Sequence, residues 1–257
     1  MFLKIKTYRD EETYRILDEI RKLFNSAKKE FNSKKIGEQN GIVNTVCALE
    51  MLSFRLSRLC ESILSEKDFY TAAIIYRALI EYSVKHKHIF MSCIKKGDDI
   101  AKEYVSPDHL SSEMLKKICK ALWPPPIKLP PKLKELKRRV DIAAEKFKFS
   151  KVSEDMLVML PKDQMQQVLR HTMVQYSMLS SYVHAGPMAV LDLEEKPKKN
   201  IDMSSVLLTI IAYNDTIKLL SLYPSEHQNK LKALDKNMNK KVDEALTIYE
   251  EICPAKS

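Results

Sequence analysis

The sequence predicts an all-α fold, a multi-helix bundle with a Pro-rich, basic insertion. Only four glycines occur in 257 residues, and apolar residues recur three and four positions apart along most of the chain, which is typical of helices that bury one face. A composition of 45% hydrophobic and 30% charged residues is ordinary for a globular protein. We predict a single helical domain over 1–257, with a core at about 38–95 and 163–222, a basic insertion at about 96–160 and a C-terminal helix at 225–252.

The first three helices are predicted from spacing and from their end signals. The first spans about 8–33 and has an acidic first turn, which complements the helix dipole. The second spans about 38–65. The third spans about 69–95, with Asp68 as N-cap and Gly97 as the residue that ends it.

Prolines divide the middle of the chain. Helical segments at 100–104 and 107–123 end at Pro124-Pro125-Pro126, because three consecutive prolines impose an extended connector. Pro131 suits the first turn of a basic helix that ends by about residue 149.

Three helices are predicted in the last third of the chain. Asp163 caps a helix over about 164–184, and Gly186 and Pro187 prevent its continuation. The last two helices span about 202–222 and 225–252.

The positive charge is concentrated in one segment. The formal net charge is +9, and residues 124–151 contain nine basic and three acidic side chains. Such clustering suits a polyanion such as nucleic acid, so nucleic-acid contacts are predicted at Lys134, Lys137, Arg138 and Arg139. The alternative is a solvated helix face that keeps the protein in solution.

Two otherwise apolar helical segments each carry a polar island. One is Tyr76-Arg77-Ala78-Leu79-Ile80-Glu81, and the other runs from Tyr176 to Pro187 and includes His184. A helix that is apolar nearly all round is normally buried, and a buried charge must be paired. We therefore expect both islands to face a shared polar centre.

This polar centre is the candidate site. If the two helices pack antiparallel, Arg77 can hold an anionic group such as a phosphate, His184 can move a proton near neutral pH, and Glu81 can orient either one. These roles fit metal-independent cleavage of RNA and also simple binding of a nucleotide or nucleic acid, and these three are the candidate catalytic residues. Hydroxyl side chains of both islands are the candidate substrate contacts: Tyr76, Tyr176, Ser177, Ser180 and Ser181. The alternative is a structural network that fixes the helix register.

Other kinds of site are not expected. The sequence has no phosphate-binding glycine loop and no H-E-x-x-H motif, and His86 and His88 lie on different faces of a helix, so we expect no cofactor and no metal. No secretory signal or membrane span is predicted either. Five widely spaced cysteines without a C-x-x-C motif indicate reduced, buried thiols in a cytoplasmic protein.

The two islands together carry a resemblance. The motifs Tyr-Arg-x-Leu-x-Glu at 76–81 and Tyr-x-x-Leu-Ser-x-x-Val-His at 176–184 resemble a group of uncharacterised bacterial helical proteins, usually described as a domain of unknown function. The resemblance covers about residues 43–193. This segment is also distantly similar to the HEPN superfamily of helical bundles.

The HEPN resemblance implies metal-independent cleavage of RNA by a ribonuclease toxin of antiphage defence, acting as a homodimer. Other HEPN-like proteins are non-catalytic, which implies the alternative of a binding or scaffold subunit, a sensor or partner in a defence or toxin–antitoxin complex. Catalytic members carry Arg and His close together on one helix. Here Arg77 and His86 are too far apart and Arg170 directly precedes His171, so the resemblance leaves only an Arg77/His184 site across two helices.

Overall fold

A computed structural model describes residues 8–30, 42–97, 100–104, 131–160, 164–183, 196–222 and 228–252. Within these ranges the chain is helical and contains no strand, and its helices pack together, which confirms the all-α bundle. In chain order the helices are α1 (Tyr8–Glu30), α2 (Ile42–Ser65), α3 (Phe69–Lys96), α4 (Ile100–Tyr104), α5 (Pro131–Lys146), α6 (Phe149–Met159), α7 (Gln164–Val183), α8 (Lys196–Leu222) and α9 (Gln228–Ile252).

Helix α8 lies at the centre of the bundle. It packs against α1, α2, α3 and α9, and most side chains between Ile201 and Ser221 are buried. The segment Lys198–Leu222 is long and apolar enough to cross a membrane, but 83% of its most apolar window is buried inside the fold. That degree of burial is typical of a core helix.

Helix α3 connects this centre to the other side of the bundle. It packs against α2 and α8 and also against α6 and α7. Both of its predicted end signals are confirmed. The carboxylate of Asp68 accepts a hydrogen bond from the backbone N–H of Thr71 at 2.7 Å, and Gly97 adopts the left-handed conformation with φ 62°.

The buried apolar side chains form one continuous core. It receives residues from α1 to α4 and from α6 to α9, for example Ile16, Leu49, Leu79, Met156 and Leu207. Helix α6 falls inside the predicted insertion at 96–160, yet Val152, Met156 and Met159 are buried. It runs in the same direction as α3, because His88 lies near Asp155 while Lys95 donates to the carbonyl of Met159.

The structure differs from the sequence prediction at two helix boundaries. The predicted basic helix ends earlier, at Lys146, and a separate helix α6 follows it. Helix α8 starts at Lys196 rather than at 202, and Pro197 lies in its first turn, where a missing backbone N–H breaks no helical hydrogen bond. The predicted helix at 107–123, the three prolines that end it, the cap Asp163 and the stop at Gly186-Pro187 lie outside the described residues.

Helices α1 and α9 are joined by a closed ring of four charges. Arg15 contacts Glu19 at 3.0 Å and Glu244 at 3.1 Å. Lys241 contacts the same two carboxylates, each at 2.7 Å. Because positive and negative groups alternate around the ring, each charge has two opposite neighbours.

Candidate functional site

The two polar islands meet at Arg77. Its Nε donates a hydrogen bond to the hydroxyl of Ser180 at 3.2 Å, and one Nη donates to the hydroxyl of Tyr176 at 2.7 Å. The guanidinium carbon also lies 4.5 Å from the centre of the Tyr176 ring. The side chain of Arg77 is half-buried, and these contacts join α3 to α7.

A second hydrogen bond beside Arg77 joins the same two helices. Tyr76 is completely buried, and its hydroxyl donates to the side-chain carbonyl of Gln175 at 2.8 Å. A fully buried hydroxyl that already has a partner is not available to a ligand. Tyr76 therefore serves to hold α3 and α7 together.

Tyr176 is contacted by a residue that the sequence analysis did not identify. The ring of Phe149, the first residue of α6, lies with its centre 3.7 Å from that of Tyr176, and the two planes are inclined by 20°. Burial raises the pKa of the Tyr176 phenol above its ordinary value; the charge of Glu81 adds to this effect and Arg77 opposes it. The phenol therefore stays protonated at neutral pH.

The remaining island residues are placed as follows. Glu81 accepts a hydrogen bond from Lys85 on its own helix at 2.7 Å. Ser177 is exposed, and its hydroxyl donates to the carbonyl of Met173 at 3.4 Å. The side chain of Ser181 and the whole of His184 lie outside the part of the chain that the structure describes.

The predicted nucleic-acid contacts lie on α5. Lys134, Arg138 and Arg139 are exposed and Lys137 is half-buried. Lys137 pairs with Asp141 on the same helix, and Arg138 contacts both carboxylate oxygens of Glu135, at 2.9 and 2.7 Å. The exposed basic side chains of α5 are the candidates for contacts to a polyanion.

Sequence analysis missed a buried ion pair between α3 and α8. Nζ of Lys87 lies 2.8 Å from each carboxylate oxygen of Asp215, and the two side chains are only 9% and 6% exposed. Burial raises the pKa of Asp215, while the charge of Lys87 opposes that change. A cavity of about 10 Å³ adjoins the pair and is lined partly by Ser83 and Ile211. It has room for about one water molecule and is too small for a nucleotide.

His86 forms a second buried contact beside this pair. Its Nε2 lies 3.2 Å from the hydroxyl of Ser53 and 3.1 Å from that of Thr216, so it joins α2, α3 and α8. Burial, followed by the charge of Lys87, lowers the pKa of His86 from 6.5 to about 3. The imidazole is therefore neutral at physiological pH.

His86 and His88 point to different neighbours, as their spacing predicted. Nε2 of His88 lies 3.7 Å from the carboxylate of Asp155 on α6, and burial lowers the pKa of His88. Among the described residues no group of three or more His, Cys, Asp or Glu side chains is arranged to hold a metal ion. Cys60 is buried, which raises the pKa of its thiol to about 11 and makes it a poor nucleophile.

One member of this pair did have a signal in the sequence. Asp215 lies within a largely apolar segment of α8, whereas Lys87 lies in the polar run Lys85-His86-Lys87-His88 of α3. The rule that a buried charge must be paired, which drew attention to Arg77 and Glu81, applies equally to Asp215. It does not identify which base Asp215 meets.

Comparison with known proteins gives no match. No model of a known protein family matches the chain. No curated protein and no solved structure matches it either.

Proposed function

We propose that this chain is a helical RNA-binding protein in which Arg77 and the basic helix α5 contact phosphate groups. The observation that carries the proposal is that the side chain of Arg77 is half-buried and is hydrogen-bonded to Tyr176 and Ser180. A guanidinium has five N–H donors, and these two contacts use two of them. The remaining donors suit the oxygens of a phosphate.

Helix α5 supplies the long-range attraction in this proposal. Most of its described side chains are exposed, and exposed basic residues on one helix attract polyanions without reading their sequence. Lys134 and Arg139 are exposed and are the first contacts that we would test.

Binding of a labelled single-stranded RNA of mixed sequence, followed by fluorescence anisotropy at rising salt, tests the proposal. We expect affinity to fall steeply with salt through counterion release. The Arg77→Ala variant and the Lys134→Glu/Arg139→Glu variant should both bind about tenfold or more weakly. The control variant Lys236→Glu/Lys240→Glu makes the same charge change at exposed sites on α9. It should bind RNA far more tightly than the Lys134→Glu/Arg139→Glu variant does. Failure of the unaltered protein to bind RNA at low salt contradicts the proposal.

Metal-independent RNA cleavage is the second candidate function. In this mechanism Arg77 stabilises the charge that develops on the phosphate, His184 transfers a proton, and Glu81 orients one of them. The contact of Arg77 with Ser180 supports it, because Ser180 precedes His184 by only four residues in the sequence. Against it, Glu81 is already bonded to Lys85.

Incubation with total RNA and with tRNA in EDTA separates cleavage from binding. Cleavage by the unaltered protein, lost in Arg77→Ala and in His184→Ala, supports the ribonuclease. Binding without cleavage supports a non-catalytic binding or scaffold subunit.

The resemblance adds the proposed setting: a cytoplasmic homodimer, acting as a toxin or as a sensor or partner subunit in antiphage defence. Protection of bacteria against phage that is lost in Arg77→Ala would support that setting.

A further inference from the structure

The basic helix α5 is tied to the bundle by its last residue and by the residues that follow it. Phe147 is 2% exposed and packs edge-on against Tyr104, with ring centres 5.1 Å apart and planes at 79°. Lys146 contacts Glu103 at 2.6 Å. Two residues after Phe147, the ring of Phe149 stacks on Tyr176. A segment of four residues thus connects the helix proposed to attract RNA with the tyrosine that holds Arg77.

We propose that Phe149 is a positioning residue for the RNA site, which keeps the Tyr176 ring against the guanidinium of Arg77. The inference rests on the proposed function, because it assumes that Arg77 contacts RNA. In the folded chain Tyr176 touches both residues: its ring stacks on Phe149, and its hydroxyl accepts a hydrogen bond from Arg77 at 2.7 Å.

The physical reason is the mobility of the two side chains that form the site. Tyr176 and Arg77 are only half-buried, and arginine loses much rotamer freedom when it binds a ligand. A side chain that is already held in its binding geometry avoids part of that loss. Phe149 fixes the ring plane of Tyr176, and Tyr176 then restricts Arg77 through the hydrogen bond and through the contact between guanidinium and ring.

Two substitutions at Phe149 separate positioning from ordinary packing. Phe149→Leu keeps an apolar side chain but removes the planar stack, whereas Phe149→Tyr keeps the stack. We expect Phe149→Leu to bind the labelled single-stranded RNA about fivefold more weakly, as expected for an aromatic pair, and Phe149→Tyr to bind as the unaltered protein does. Val158→Ala, at an 86% exposed position on the same helix, is the matched control and should not change affinity.

A double substitution tests whether Phe149 acts through Arg77. If it does, Phe149→Leu causes no further loss of RNA affinity in the Arg77→Ala background. In the Lys134→Glu background it weakens RNA binding by its full factor. A residue needed only for stability shifts the melting temperature equally in both backgrounds and shows no such selective coupling.

The outcomes distinguish this inference from the function on which it rests. Weaker binding by Phe149→Leu that is absent in the Arg77→Ala background supports the inference. Unchanged affinity of Phe149→Leu, while Arg77→Ala binds weakly, overturns the inference and leaves the proposed function standing. Equal losses in the two backgrounds also overturn it. An unaltered protein that does not bind RNA overturns both.

Discussion

Lys87 on α3 and Asp215 on α8 form an ion pair inside the bundle, with Nζ 2.8 Å from both carboxylate oxygens. The adjacent residues His86 and Thr216 also contact each other, at 3.1 Å. Two neighbouring polar contacts between the same helices are satisfied together in only one register of α3 against α8. Apolar packing alone tolerates a shift of one helix along the other more readily.

The first prediction concerns the stability of this pair. Lys87→Met leaves the carboxylate of Asp215 buried without its partner and should lower the free energy of unfolding by about 3–5 kcal/mol. Asp215→Leu should have a similar effect. In the double variant the free energy of unfolding should fall by less than the sum of the two single losses, because neither charge of the pair then remains buried. Urea unfolding followed by circular dichroism measures all three.

The matched control for the pair is Lys22→Met. Lys22 pairs with Asp18 on the surface of α1, with side chains 74% and 55% exposed. This change should leave the free energy of unfolding close to that of the unaltered protein, because an ion pair in water contributes little. Losses at Lys87 and Asp215 that simply add in the double variant would contradict a coupled pair.

The second prediction is a pH dependence caused by His86. Its pKa is lowered to about 3 in the folded chain, so between about pH 6.5 and pH 4 the unfolded chain binds a proton that the folded chain does not. Stability should therefore fall as pH falls, by about 1.4 kcal/mol per pH unit for this group. His88 acts in the same direction because burial also lowers its pKa.

Comparison of variants isolates the contribution of His86. In His86→Gln the slope of unfolding free energy against pH should be smaller over this range, because the difference in bound protons between the unfolded and folded chains is smaller by about one. His171 is exposed on α7, and His171→Gln is the matched control for replacing a histidine by glutamine. The same slope in His86→Gln and in the unaltered protein would show that the ring takes up protons in the folded state.

The third prediction concerns the ring of charges between α1 and α9. A double-mutant cycle with Arg15→Ala and Glu244→Ala should give a small favourable coupling energy, since both side chains are partly exposed. The coupling should shrink as salt rises from about 0.1 to about 1 M, because the screening length falls from about 10 to about 3 Å. A coupling that does not respond to salt would indicate packing rather than charge.

The fourth prediction concerns the end of α3. Gly97 has φ 62°, and a Cβ atom added there meets no other atom within 4 Å. Gly97→Ala should therefore cost about 1 kcal/mol through the backbone conformation alone, and Gly97→Asn should cost less. Thermal unfolding of both variants measures this. Equal melting temperatures for Gly97→Ala and the unaltered protein would contradict a left-handed residue at this position.

Sequence reasoning predicted the features that depend on local pattern. The periodic apolar residues predicted most of the helices, and Asp68 and Gly97 predicted the two ends of α3. A shared polar centre of the two islands was expected from the demand that buried polar groups find partners, whereas the specific contacts of Arg77 with Tyr176 and Ser180 are seen only in the structure.

Other features carried no local signal. The start of α6 was not predicted, because its N-cap is Lys148, which makes no capping hydrogen bond through its side chain. The pairing of Lys87 with Asp215 joins residues 128 positions apart, and many other pairings agree equally well with the sequence. Phe149 was not identified because any apolar residue fits an amphipathic pattern at that position, whereas a planar stack depends on the three-dimensional fold.

The joining of α1 to α9 has a consequence for the chain as it is synthesised. Arg15 and Glu244 are 229 positions apart, and the apolar face of α1, with Ile16 and Ile20, is buried against the end of the bundle that is translated last. At about 5–20 residues per second, α1 leaves the ribosome roughly ten to fifty seconds before its partners. During that time its apolar face is available to chaperones and to other nascent chains.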